Sequence, residues 1–586
     1  MLATRREENW VVHTACSQAQ KRHRARKHPP HKFAVRFIFF LGIPRLFPSP
    51  FCESPPLLRI IIMKPTIAIF VAGALLAQPT LSAQDDCSDV PDPQKVDCGE
   101  VGTKQPDCEA KGCCWQPVAS NRTGHGKQFL RSPALGDTPW CFYKPGSQPS
   151  CPLNYTSTGA PFSDSEVATM RGFFLDNINI NGSGAVVASP DTNTPGGSYY
   201  YHWERDGALS MQALLRTADK VSDVQEQMDA YVGWVKKVQQ EDDPHGQSVL
   251  AEPKYMIPGG EVFAGAWCRP QNDGPGLRSH TLIDYADALK AEAAAGGSST
   301  TTTAEDLWPL IQIDLDWQAA NWQANGCDLW EEIQSDDFFW NRYTQRAALT
   351  KGAAFAKEQG DQTRSDTYAA AAKAVEATLA AHYDGTFVSE TQARQKDAAV
   401  ICAFNDGYLG DDTFKPSGPE VAGTVKTLNE LFCDSFAINQ ADTKAGVPGI
   451  LYGRYEGDNY AGGNPWILLT SALAEVLYNG AAEIVASDGA SMTDEARGLW
   501  ADVLGWSDLT EQDSFGFAEA VAGAGDGVLQ RLRTHVESNG FHLTEQIDSN
   551  TGDCMAAKDL TWSYATTLKA MDARSKYYDA VEAARN

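Results

Sequence analysis

From about Ser163 to the end of the chain, apolar residues recur at spacings of three and four, and almost nowhere do they alternate. That period marks helices with one buried face, whereas half-buried strands alternate. Val224, Met228, Tyr231, Val235 and Val238 form one such stripe. Others run through about 163–177, 206–219, 278–294, 305–324, 338–359, 363–382, 421–440, 465–485, 492–503, 516–538 and 561–583. The pattern predicts an all-α domain of twelve helices and lacks the strand–helix alternation of a β/α barrel. Long loops rich in Gly, Pro, Asp and Trp separate the stripes, and loops of that length in a compact domain usually carry function. Gly296–Thr303 reads as a surface insertion.

The N-terminal end is unlike the rest. Residues 1–62 hold 11 Lys and Arg against 3 Asp and Glu. Lys21–His28 taken alone reads as a basic tail for nucleic acid or nuclear import. The next segment points elsewhere: Met63-Lys64 opens a 13-residue apolar run to Ala77, and Leu81-Ser82-Ala83 forms a small-x-small cleavage site. That order is a secretory signal, too short to span a bilayer. A signal anchor built on Phe37–Ile43 is the competing reading. We read 1–62 as a gene-model artefact and 63–83 as a signal peptide, so the expected protein is extracellular. The chain carries a formal charge of −26 and a pI near 4.8. That charge disfavours phosphate backbones and anionic membranes, so neither nucleic acid nor membrane is an expected partner.

Twelve cysteines follow Ala83, an even number suited to an oxidising compartment. Sequons at Asn121, Asn154 and Asn181 are candidate glycosylation sites. Seven of the twelve cysteines crowd into residues 87–151, with few apolar residues between them. A core this small needs staples. Spacing alone leaves 15 pairings of six cysteines. The order Cys87, Cys98, Cys108, Cys113-Cys114-Trp115 and Trp140-Cys141-Phe142-Tyr143 resembles the P-type trefoil domain. That resemblance implies pairs Cys87–Cys114, Cys98–Cys113 and Cys108–Cys141, in a module over 84–150. Its role is open between a spacer and a carbohydrate-binding module using Trp115 and Trp140. Cys151, Cys268, Cys327, Cys402, Cys433 and Cys554 are expected to form up to three further bridges.

Metal and nucleotide chemistry find no motif. No His-x-x-x-His, no cysteine–histidine set at zinc spacing and no phosphate-cradling Gly loop occurs, so no metal or cofactor is expected. Gly-x-Ser-x-Gly is absent. What remains are aromatics beside acids, arginines and amides. They fall in Tyr199–Asp206, Trp267–Asp273, Asp328–Glu332, Gly453–Tyr455 with Gly462–Trp466, and Leu543–Asp548 with Lys558–Tyr564. Sugars are bound this way, with ring faces on indoles and hydroxyl edges on charged and amide groups. Each cluster is predicted to lie in a loop. Two distant acids in such loops fit glycoside hydrolysis. Desolvation by Trp330 and the nearby charges of Asp328 and Glu332 are expected to raise the pKa of Glu331, making it the proton donor. Polar neighbours would keep Glu545 ionised as base. The competing reading of Asp328-x-x-Glu331 is a helix capping box.

As a set, in order, these motifs resemble glycoside hydrolase family 15, the glucoamylases, over about 160–583. The resemblance implies an (α/α)6 barrel, placed here at 151–586. It implies Glu331 as general acid, Glu545 as general base and Tyr199 as the residue holding the attacking water. Arg205 and Asp206 would grip the terminal glucose. Trp203, Trp267, Asp328, Trp330, Glu332, Arg454, Trp466 and Trp562 would line the pocket and subsites. Ala251 replaces a common glycine and Asn272 a usual basic residue. The implied activity is removal of β-D-glucose from non-reducing ends of α-1,4-glucans, with α-1,6 bonds cut more slowly, by a monomer. A retaining α-glucosidase and a non-catalytic glycan-binding protein are the alternatives.

Overall fold

The structure, a computed structural model, describes Cys87, Cys98 and residues 103–117, 140–144, 149–296 and 302–585. The segments 1–62 and 63–83 and the sequon at Asn121 lie outside the described residues, while Asn154 and Asn181 are exposed. The N-terminal module contains α1 (Gln105–Ala110) and an antiparallel pair, β1 (Cys114–Trp115) with β2 (Cys141–Phe142). Disulfides join Cys87–Cys114, Cys98–Cys113 and Cys108–Cys141. The buried cluster of this module is Cys98, Cys108, Cys113 and Cys141, flanked by Trp115 and Tyr143. Covalent bonds here stand in for a hydrophobic core.

Fourteen further α-helices follow: α2 (Asp164–Asp176), α3 (Glu204–Arg216), α4 (Gln225–Val238), α5 (Gly274–Ala294), α6 (Ala304–Asn321), α7 (Phe339–Glu358), α8 (Gln362–Leu379), α9 (Ala399–Asp406), α10 (Pro419–Ser435), α11 (Ala437–Ala445), α12 (Ile467–Ala486), α13 (Asp494–Leu504), α14 (Ser514–Val536) and α15 (Thr561–Arg585). Their packing closes a ring. Helices α3, α5, α7, α9, α12 and α15 each contact the next, and α15 returns to α3. Outside it, α2 packs on α15, α4 on α3, α6 on α5, α8 on α7 and α14 on α12. Outer and inner helices alternate along the chain, which gives α10 the sixth outer place. The domain is therefore an (α/α)6 barrel. The inner helices are most enclosed toward their N-terminal ends, as in α15, where every residue from Thr561 to Ala570 is buried. Among them, α12 is apolar and long enough to cross a membrane, yet 83% of it is buried inside protein.

The twelve predicted helices and the twelve of the barrel are not the same set. The stripe at 492–503 is α13, an accessory helix on α10. The inner helix α9 gives no stripe because its eight residues make little more than two turns, too short for a repeat to show. The stripe at 421–440 is two helices. Phe436 turns extended at φ −114°, ψ 111°, and the Asn439 side chain donates to the Phe432 carbonyl at the break.

Three two-stranded ladders brace the connections: β3 (Tyr201–Trp203) with β4 (Lys254–Met256), β5 (Gly326–Cys327) with β6 (Gln334–Ser335), and β7 (Gln546–Ile547) with β8 (Cys554–Met555). Two disulfides form in this domain, Cys151–Cys433 and Cys268–Cys327, within the expected limit of three. Cys402 and Cys554 are free, the first sealed inside α9 of the inner ring.

A buried ion triad joins three helices beneath the barrel mouth. Arg278 of α5 pairs with Glu204 of α3 at 2.7 Å and with Asp314 of α6 at 2.5 Å. Removing one member strands buried charge, at ~3–5 kcal/mol. Arg278→Met is therefore expected to lose about that much stability by urea unfolding. An unchanged midpoint would contradict the triad as the tie between these helices.

Candidate active site

The clusters converge at one end of the ring, the N-terminal ends of the inner helices. Arg205 and Asp206 are in the first turn of α3, not in a loop, and Trp562 is in the first turn of α15. Asp273 and Trp466 immediately precede α5 and α12. Helix N-termini carry partial positive charge, so this mouth favours carboxylates. One cavity of about 240 Å³ is lined by Tyr199, Trp203, Arg205, Asp206, Trp267, Trp330, Glu331, Glu332, Arg454, Trp466, Glu545 and Trp562. Asp328 is not part of the lining. Ala188, Gly196, Leu329, Tyr460 and Leu560 complete it.

Glu331 sits in the turn that joins β5 to β6. Its backbone is left-handed, with φ 65°. A non-glycine residue there stores strain that the surroundings must hold. Asp328 does so: its carboxylate accepts from the backbone N–H of Glu332 at 2.7 Å and of Ile333 at 2.9 Å. No helix begins at Asp328, so the capping-box reading fails and its carboxylate organises a turn instead. The Cys268–Cys327 bridge ties the same turn to the segment carrying Trp267.

The neighbours of the Glu331 carboxylate differ from those expected. Trp203 Nε1 donates to it at 2.8 Å, Gln271 Nε2 at 2.7 Å and Trp267 Nε1 at 2.5 Å, with Arg205 Nη1 at 3.7 Å. Three donors and a guanidinium from other segments aim at one carboxylate. Trp330 turns its N–H away, to Asp397 at 2.9 Å. The adjacent acids are neutralised. Asp328 pairs with Arg394 at 2.5 Å, and Glu332 with Arg394 and Arg454, both at 2.9 Å. Paired charges exert little net repulsion on Glu331.

Glu545 is held differently. Its N–H donates to the Ala557 carbonyl, and its own carbonyl accepts from Ile467 at the start of α12. The carboxylate accepts from Tyr199 Oη at 2.9 Å and from Gln546 Nε2 at 3.1 Å. Burial pushes its pKa up to about 7, while Tyr199, Arg454 and Gln546 pull the other way. Two aromatic groups flank the acids. Tyr199, Trp203 and Trp267 form one, with neighbouring centroids 5.5 and 5.9 Å apart. Trp330, Trp466 and Tyr460 form the other, at 5.7 and 6.2 Å, with the Arg454 guanidinium 5.0–5.5 Å from all three rings.

Arg205 is already engaged, donating to Asp273 at 2.6 Å and to Gln271 at 2.8 Å. Asp206 is buried, which pushes its pKa up to about 7 against the pull of Arg205. The Lys254 ammonium lies 3.1 Å from the Trp267 ring centroid and 4.3 Å from that of Trp203. Desolvation lowers its pKa to about 8, with Glu331 opposing. Gln271 falls inside the Trp267–Asp273 cluster without being singled out, while Arg394, Asp397 and Tyr460 carry much of this geometry and stand out in no sequence pattern. No group of three or more His, Cys, Asp and Glu among the described residues is arranged to hold a metal.

The description "Glycosyl hydrolases family 15" matches residues 173–572, and "Trefoil (P-type) domain" matches 87–144. The chain belongs to glycosyl hydrolases family 15. It is 32% identical to the glucoamylase of Blastobotrys adeninivorans, over 74% of each chain. It is 33% identical to glucoamylase-1 of Schizophyllum commune, over 72% of this chain and 75% of that one. The solved family 15 glucoamylase of Hypocrea jecorina superposes with a TM-score of 0.61 at 27% identity, over 70% of this chain and 71% of that one.

The Tyr199 phenol favours the ionised form of Glu545, so its loss raises that pKa. In Tyr199→Phe the carboxyl is expected to titrate at higher pH than in the wild type, read by carbon-13 NMR of labelled glutamate. No upward shift would contradict the hydrogen bond.

Proposed function

We propose that this protein is a secreted, monomeric, exo-acting hydrolase. It releases β-D-glucose from non-reducing ends of α-1,4-glucans and cuts α-1,6 bonds more slowly. The observation that carries the proposal is the pair Glu331 and Glu545, lining one cavity between two aromatic groups. On this reading the cavity is a dead end that accepts a chain end rather than a chain middle, which gives exo action. The relatives named glucoamylase support the substrate class. Extracellular location is supported by the disulfides.

Glu331 is the general acid. It protonates the glycosidic oxygen, and the indole and amide N–H groups around it stabilise the carboxylate that forms. Glu545 is the general base. Tyr199, already bonded to it, orients the water that attacks the anomeric carbon from the opposite face. Arg205 and Asp206 hold the terminal glucose, and Trp203, Trp267, Trp330, Glu332, Arg454, Trp466 and Trp562 shape the subsites. Asp328 acts behind the turn rather than on sugar. The sequons at Asn154 and Asn181 are the described candidates for glycosylation.

One observation favours the exchanged assignment, with Glu545 as acid: burial raises its pKa to about 7. α-Glucosyl fluoride separates the two, because fluoride leaves without protonation. Glu331→Gln and Glu545→Gln are each expected to cut maltose turnover by ~10²-fold or more. On the fluoride, Glu331→Gln keeps most activity and Glu545→Gln does not. The opposite pattern would exchange the roles, and near-normal maltose turnover in either variant would remove that residue from catalysis.

A further inference from the structure

Tyr460 lies in the connection between α11 and α12 and lines the cavity beside Tyr199. Its hydroxyl is 2.9 Å from the Tyr199 hydroxyl, which donates to Glu545 Oε1 at 2.9 Å. A phenol has one proton. Tyr199 gives its proton to the carboxylate, so it accepts from Tyr460, and the two bonds run in one direction toward Glu545. Chains of this kind polarise cooperatively.

The surroundings are built around that contact. Gly196 packs against both phenols: a Cβ there would lie 2.9 Å from Tyr460 Oη and 3.3 Å from Tyr199 Oη. Gly196 has no left-handed φ, so glycine is required by space rather than by backbone conformation. On the other side the Tyr460 turn is fixed. Its N–H donates to Asp458 Oδ1 at 2.9 Å, Asp458 binds Arg454 at 2.6 Å, and Arg454 binds Glu332 at 2.9 Å. The Arg454 guanidinium also lies 5.0 Å from the Tyr460 ring centroid. The other groups acting on Glu545 are Arg454, Gln546 and the Ala557 backbone, and Thr194 is the remaining polar neighbour of Tyr460.

We infer that Tyr460 is a positioning residue for the general base, its hydroxyl aiming the Tyr199 phenol at Glu545. The inference rests on the reading of Glu545 as base. Without Tyr460 the Tyr199 phenol is a weaker and less directed donor, the ionised form of Glu545 is less favoured, and its pKa rises.

The experiment is a double-mutant cycle on maltose with Tyr199→Phe, Tyr460→Phe and both together, recording kcat, KM and the pH profile. Tyr460→Phe keeps the ring beside Trp466 and Arg454, so Tm is expected to hold. Its kcat is expected to fall by roughly tenfold with KM little changed, the scale of one lost hydrogen bond. The acid limb of kcat/KM is expected to move to higher pH. In the Tyr199→Phe background the same change is expected to do nothing further. Gly196→Ala, which keeps both hydroxyls but separates them, is expected to reproduce the limb shift. An unmoved limb in Tyr460→Phe, or an equal loss in both backgrounds, would overturn the inference. Failure of the base assignment shows separately, as near-normal turnover in Glu545→Gln.

Discussion

A closed ring of six inner helices is the constraint on which the rest of the structure depends. Closure buries a broad face of each inner helix, most completely toward the mouth, and makes those side chains a packed interior. It also brings six N-terminal ends to one mouth. Carboxylates gathered there are favoured, because helix ends supply partial positive charge and unpaired N–H groups. The buried Glu204–Arg278–Asp314 triad lies under that mouth and links α3, α5 and α6.

Within the pocket the two carboxylates differ in how they are solvated by protein. Glu331 stands on a left-handed turn and faces three side-chain N–H donors and Arg205. Glu545 is more deeply buried, at 1% exposure, and relies on a phenol and an amide. Donors at Glu331 match the negative charge left after it gives up a proton. The sparser support at Glu545 makes each of its hydrogen bonds count for more, since burial works against its ionised form. Arg394 and Arg454 neutralise Asp328 and Glu332, keeping these acids compatible with Glu331 and Glu545 nearby.

Much of this was legible in the residue pattern, for physical reasons that also mark where legibility ends. Amphipathic outer helices such as α4 show a period because one side meets water. Helix α9 shows none because eight residues make little more than two turns. The cavity-lining tryptophans and acids stand out because aromatic–acid neighbours are unusual in a soluble chain. Tyr460 and Arg394 do not, because their roles come from tertiary contacts with Tyr199 and with Asp328 and Glu332, far away in sequence. The environment of Glu331 was misread from proximity in the chain: Trp330 and Glu332 adjoin it in sequence but turn to Asp397 and Arg454. The free Cys402 could not be told from a bridged cysteine without knowing that α9 is enclosed.

The central claim is that a water set by Glu545 attacks from the face opposite the departing sugar protonated by Glu331. The most direct test is proton NMR of the anomeric region in the first moments of maltose hydrolysis, before mutarotation. The account predicts that the new glucose appears first as the β-anomer, with the α-anomer growing in later. An initial α-anomer would contradict it.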